Sequence, residues 1–208
     1  MSAALALGGM NARAGSLPTT LDTLLVPGAS VTIGNLEFSD FSYDNHGTPP
    51  PASGVTVDQF ADGGETGLKF GAPFVATANM NPDYSIGYTV TGLNGALIND
   101  AQLVITGGNF GGTGAVDVSE TILWDNHDAT LHASTPAGST IDTAVFPPQT
   151  SVSVTKDISL LGGIPGATVS VIDQGFSIVP EPTSMGLLGI GLSGLFAFRR
   201  FLKRAFIA

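Results

Sequence analysis

Three histidines, His46, His127 and His132, are the only imidazoles in a chain of 208 residues that has no cysteine. A catalytic centre needs a nucleophile, a base and a group that orients the base. Without thiols, the role of base falls first to these three side chains. His127 and His132 are five apart around Trp124-Asp125-Asn126-His127-Asp128. In a hairpin the two would face each other across strands with Asp125 or Asp128 alongside, an arrangement for a metal ion or an acid–base triad. A polar loop with two solvated histidines explains the same residues and is the favoured reading. No G-x-S-x-G, H-E-x-x-H or nucleotide-binding P-loop pattern occurs. The expectation is a protein without enzymatic activity.

Asp58, Asp62 and Glu65 flank Gly63-Gly64 and offer hard oxygen ligands to calcium. Their spacing is not that of an EF-hand, and a solvated acidic turn is the favoured reading. No cofactor is expected, with calcium the single weak candidate. Trp124, Tyr43, Tyr84 and Tyr88 offer a platform for stacking sugars, against which core packing is weighed as the better account. The loop Gly107-Gly108-Asn109-Phe110-Gly111-Gly112 imitates a phosphate cradle. A strand-like segment follows it where a phosphate would need a helix N-terminus.

The elements that must position these residues read as strands. Alternating stretches rich in β-branched and aromatic residues cover 30–43, 55–60, 67–70, 74–80, 84–91, 101–106, 115–124, 129–133, 141–146, 151–158 and 167–179. Between them lie Gly, Asn, Asp and Pro clusters at 47–51, 62–64, 94–95, 107–114, 147–148 and 162–166. About ten strands at this spacing predict an all-β protein, an antiparallel β-sandwich of the jelly-roll or immunoglobulin-like kind. A body of this size buries a core without metals or disulfides.

Charge divides the chain. Residues 15–179 hold sixteen acids against Lys69 and Lys156, a net charge of −14, while Arg199, Arg200, Lys203 and Arg204 crowd the last ten positions. The acidic body excludes nucleic acid as a partner, since phosphate binding needs clustered cations. Val179-Pro180-Glu181-Pro182-Thr183 is stiff and helix-breaking. Met185 to Phe198 then runs for fourteen residues without a charge. As a helix it reaches about 21 Å. Phe201, Leu202 and snorkelling Arg side chains extend it to a marginal membrane span. The basic stop belongs on the cytoplasmic side, leaving the body outside. At the other end, Ala3 to Met10 is a short apolar run, and Ala12-Arg13-Ala14 has the form of a signal-peptidase site at Ala12 and Ala14. Residues 1–14 read as the remnant of a longer signal peptide.

The order of Pro180-Glu181-Pro182, hydrophobic helix and Arg199-Arg200 resembles the PEP-CTERM sorting signal of exopolysaccharide-producing Gram-negative bacteria. That resemblance implies recognition and cutting by an exosortase, a membrane cysteine protease, near the tripeptide. The body is similar to a PEP-CTERM family of unknown function, through Leu68-Lys69-Phe70, Tyr88-Thr89-Val90, Gly107-Gly108, Thr121 and Val154-Thr155-Lys156-Asp157. The expected organisation is a signal remnant at 1–14, a sandwich at 15–178 and a sorting tail at 179–208. The expected product is a surface or matrix protein, held for a time in the inner membrane, then released or attached outside. Its partners would be the exosortase and the inner membrane. The alternative is a carbohydrate-binding module, calcium-assisted, associated with exopolysaccharide as its partner.

Overall fold

The structure, a computed structural model, describes residues 13–136 and 138–180 and, in the tail, residues 190, 191, 193 and 195. Its strands are β1 (Arg13–Gly15), β2 (Thr19–Thr20), β3 (Ala29–Ile33), β4 (Leu36–Asp44), β5 (Thr56–Asp62), β6 (Glu65–Ala76), β7 (Asp83–Gly92) and β8 (Ala96–Thr106). After these come β9 (Asn109–Gly112), β10 (Ala115–Trp124), β11 (His127–Thr135), β12 (Ile141–Gln149), β13 (Ser151–Leu161), β14 (Pro165–Phe176) and β15 (Ile178–Pro180). Between the strands of residues 13–180 lie a four-residue helix α1 (Leu21–Leu24) and a 3-10 turn at Ala52–Gly54.

Two sheets result. One has the order β1-β3-β4-β7-β13-β10-β11, the other β12-β8-β14-β6-β5-β2, with β15 added to β8 and β9 to β14. Every pairing is antiparallel except β1 with β3. The central eight strands pair from the outside inwards: β6 with β14, β7 with β13, β8 with β12 and β10 with β11. The sandwich expected from the alternation is therefore present.

Period two decides what goes inside. In β13 the buried residues are Val152, Val154, Lys156, Ile158 and Leu160; in β10 they are Val116, Val118, Glu120 and Ile122. Phe38 and Tyr88 from the first sheet meet Phe70 and Phe176 from the second, with ring centroids 5.8 to 6.2 Å apart.

Several expected boundaries change. The stretch 30–43 is two strands, because Gly34 at φ 60° turns β3 back along β4. The stretches 67–70 and 74–80 join into β6 across Pro73, which lacks a backbone donor. Pro73 fits because β5 pairs with β6 only as far as Gly71, while β14 bulges between Val169 and Val171. The stretch 167–179 divides at Ser177, whose N–H is taken by Asp100 Oδ1 at 2.7 Å. Pro147-Pro148 does not end β12, because that strand lies at a sheet edge where missing donors are tolerated. The short β1, β2 and β9 fall below the length at which alternation is visible.

Ala12, Glu181, Pro182, Arg199, Arg200, Lys203 and Arg204 lie outside the described residues, as does most of the stretch from Met185 to Phe198. Ile190, Gly191, Ser193 and Leu195 are helical. Ile190 and Leu195 are 72% and 67% exposed, so neither is spent in the sandwich core. Among the described residues no helix is long and apolar enough to cross a membrane.

Candidate functional site

The histidine pair does not converge. Asp125 and Asn126, at φ 42° and 65°, form a two-residue hairpin turn with both central residues left-handed, so Trp124 pairs with His127. His127 and His132 consequently share strand β11, where an odd separation puts them on opposite faces. The His127 ring lies 6.3 Å from Trp124, which stacks on Phe146 at 4.9 Å. His132 faces solvent with Nε2 at 2.9 and 2.8 Å from the two carboxylate oxygens of Asp117. His46 sits in a turn at φ 47°, with Asp44 and Asp83 at 3.7 and 3.9 Å.

The register collects a polar patch on the outer face of the first sheet. Asp83, Ser159 and Asp117 form one cross-strand row; Ser85, Asp157, Ser119 and His132 form the next. Ser159 donates to Asp83 at 3.0 Å. Burial, then the hydrogen bond and charge of Asp83 and the charge of Asp117, push the Asp157 carboxyl up to about 6, with His46 opposing. The patch sets carboxyls, hydroxyls and one imidazole side by side across neighbouring strands.

The calcium candidates are only partly brought together. Asp58 pairs with Lys69 and Asp62 with Glu65 along the β5–β6 hairpin. Asp58 Oδ1 accepts from the N–H of Gln59 at 2.7 Å. Glu65 turns Oε2 inward without a partner, and burial, followed by the charges of Asp100 and Asp62, pushes it up to about 7. Among the described residues no group of three or more His, Asp or Glu side chains stands ready for a metal ion.

A pH dependence follows from Asp157 and Glu65. Both bind a proton more tightly folded than at their ordinary values of 3.8 and 4.5. The stability they contribute is whole below about pH 4 and is lost as pH rises through about 6 and 7. The urea midpoint is expected to fall between about pH 4 and pH 7.5, and Asp157→Asn with Glu65→Gln to flatten that fall. A midpoint rising across the window, unchanged in the double variant, contradicts these assignments.

The aromatic platform is also dispersed. Tyr84 and Tyr88 are buried, and Tyr84 donates its hydroxyl to the carbonyl of Pro49 at 2.7 Å. Half-buried Tyr43 donates to Pro50 at 2.8 Å. After β9 the chain enters strand β10, with no helix to receive a phosphate, as the sequence indicates.

The polar group that the sequence reading missed lies in the core. Lys156 on β13 and Glu120 on β10 are directly paired, and Gln174 reaches them from β14 of the opposite sheet. Their exposures are 0%, 1% and 0%. Lys156 Nζ donates to Glu120 Oε2 and to Gln174 Oε1. Glu120 Oε1 is buried with no partner. Burial holds the Lys156 amine well below the usual lysine range. The signal was available: alternation places Lys156 and Glu120 inward among Val and Ile, and Gln174 stands between Ile172 and Phe176.

Residues 179–200 match the PEP-CTERM protein-sorting motif. No curated protein matches the chain. Among solved structures, TmCBM61 in complex with β-1,4-galactotriose is similar at 12% identity and a TM-score of 0.36, over 69% of this chain and 90% of that one. The enzymatically active domain of bacteriophage CBA120 tailspike protein 4 is similar at 14% identity and a TM-score of 0.28. The match covers 71% of this chain and 20% of the tailspike chain.

Proposed function

We propose that this chain, which carries a PEP-CTERM protein-sorting motif, is an exported, non-enzymatic surface or matrix protein processed through its tail by an exosortase. The match at residues 179–200 carries the reading. The sandwich delivers the tail at a sheet edge, since Pro180, the last residue of β15, pairs with Ala96 of β8. In sequence Glu181-Pro182 follow Pro180 directly, and two prolines around one residue disfavour helix. A peptide of this kind is presented extended to a protease, while the apolar stretch and its cations hold it at the bilayer.

The body is read as structural. Its outside-in strand pairing is that of a jelly roll, with few free edges for its size. The Tyr rings a glycan would stack on are turned inward or half-buried. The net charge of −14 over residues 15–179 keeps such bodies apart and soluble outside the cell.

Glu181→Ala and a deletion of residues 199–204, expressed in a host with an exosortase, test the reading. The first is expected to stay uncut in the membrane fraction. The second is expected to lose membrane retention before processing. Wild-type fractionation and wild-type cleavage in both would overturn it.

A further inference from the structure

Lys156, Glu120 and Gln174 form a group that an ordinary core has no use for. A lysine and a glutamate taken wholly out of water are costly even when paired. Apolar side chains at these three positions would pack the same space. In register with Lys156, Glu120 presents one oxygen to the amine and keeps the other unpartnered. Gln174 presents its amide carbonyl to the same amine, and its Nε2 donates weakly to the Gly175 carbonyl at 3.4 Å. The chain has no cysteine with which to tie its sheets together.

We infer that Lys156 and Gln174 join covalently in the folded protein, through an isopeptide bond whose formation Glu120 promotes as proton carrier. The geometry brings one amine against both a carboxyl and an amide carbonyl. A desolvated lysine is favoured as the neutral amine, which is the nucleophilic form. The amide carbonyl is already in contact with it, so the reaction is intramolecular and the entropy of encounter is prepaid. A carboxyl that touches the nucleophile and has a free oxygen is placed for general acid–base transfer.

The step balances without a co-reactant. Lys156 Nζ adds to Gln174 Cδ as Glu120 gives its carboxyl proton to Oε1. Glu120 then takes the surplus proton from Nζ and delivers it to Nε2. The Cδ–Nε2 bond breaks and ammonia leaves. The carbonyl re-forms and returns the Oε1 proton to Glu120, which ends as it began. The product ties β13 of one sheet to β14 of the other, beside the β10 strand that carries Glu120.

Tryptic digestion of the denatured full chain, made in a host without an exosortase, tests the bond. Between Lys69 and Arg199 the only tryptic site is Lys156. A bonded Lys156 is not cut, so a single fragment 70–199 is expected, lighter than its sequence mass by one ammonia. Tandem spectra should place the link between Lys156 and Gln174. Glu120→Ala and Gln174→Leu are expected to be cut after Lys156 into fragments 70–156 and 157–199 of unshifted mass. Cleavage of the wild-type chain after Lys156 overturns the proposal and leaves a buried ion pair. A fragment lighter by one water also overturns it, because the lysine would then be joined to Glu120. The wild-type digest decides between these outcomes even if a variant fails to fold.

Discussion

Gly67→Ala is expected to destabilise the sandwich by about 3 kcal/mol or more, an overpacking cost at the upper end for a single methyl group. Gly67 lies in β6 and pairs with Gly175 of β14 on one side and Phe60 of β5 on the other. A Cβ there would stand 1.8 Å from the backbone carbonyl oxygen of Gln174 and 3.1 Å from Cα of Gly175. Neither obstacle is a flexible side chain that can swing away. β6 has strands on both sides, so relief means prising apart a ladder whose buried N–H and C=O groups would lose their partners. Gly191, where an added methyl would meet nothing within 4 Å, supplies the control. Gly191→Ala should leave the urea midpoint unchanged while Gly67→Ala lowers it well below wild type. Equal midpoints would mean that β6 and β14 do not approach this closely.

The same neighbourhood shows what a single sequence discloses. Alternation is a local property, so Val152, Val154, Ile158 and Leu160 announce their inward face, and Lys156 stands in the middle of that series. Val118 and Ile122 do the same for Glu120, and Ile172 and Phe176 for Gln174. Each was legible as a polar residue on a core face. What no local pattern states is that the three meet, because β14 belongs to the other sheet and pairing between distant strands is set by the whole packing. The strand that carries the two exposed histidines is hidden for a related reason. A two-residue turn at Asp125-Asn126 puts both on one strand, whereas a turn centred on Ala129-Thr130 would have set them face to face. Pro73 and Pro147-Pro148 look like strand ends in sequence, and only the bulge in β14 and the edge position of β12 explain why they are not. The sorting motif at residues 179–200 is legible in the sequence, because Pro-Glu-Pro, an uncharged stretch and an Arg pair in fixed order need no tertiary context.

Phe38→Ala is expected to cost about 3–5 kcal/mol, the range for deleting a fully buried aromatic ring. Phe38 is 0% exposed and its ring stands 6.2 Å from both Tyr88 and Phe176. Tyr88 in turn meets Phe41 at 5.6 Å and Phe70 at 5.8 Å. Because Phe38, Phe41 and Tyr88 come from one sheet and Phe70 and Phe176 from the other, the ring that is lost is part of what holds the layers face to face. Tilted aromatic pairs add roughly 0.5–1.5 kcal/mol beyond the area they bury, so two such contacts weigh in the loss. Against a total of about 5–15 kcal/mol for a domain, the variant retains at best a modest margin. Val145, 81% exposed, is the comparison: Val145→Ala should shift stability by less than about 0.5 kcal/mol. Urea unfolding measures both, and an unchanged slope against denaturant would show that the native state has lost stability without loosening. A Phe38→Ala cost near that of Val145→Ala would mean that the two sheets are not closed over this cluster, and the core as described would be wrong at its centre.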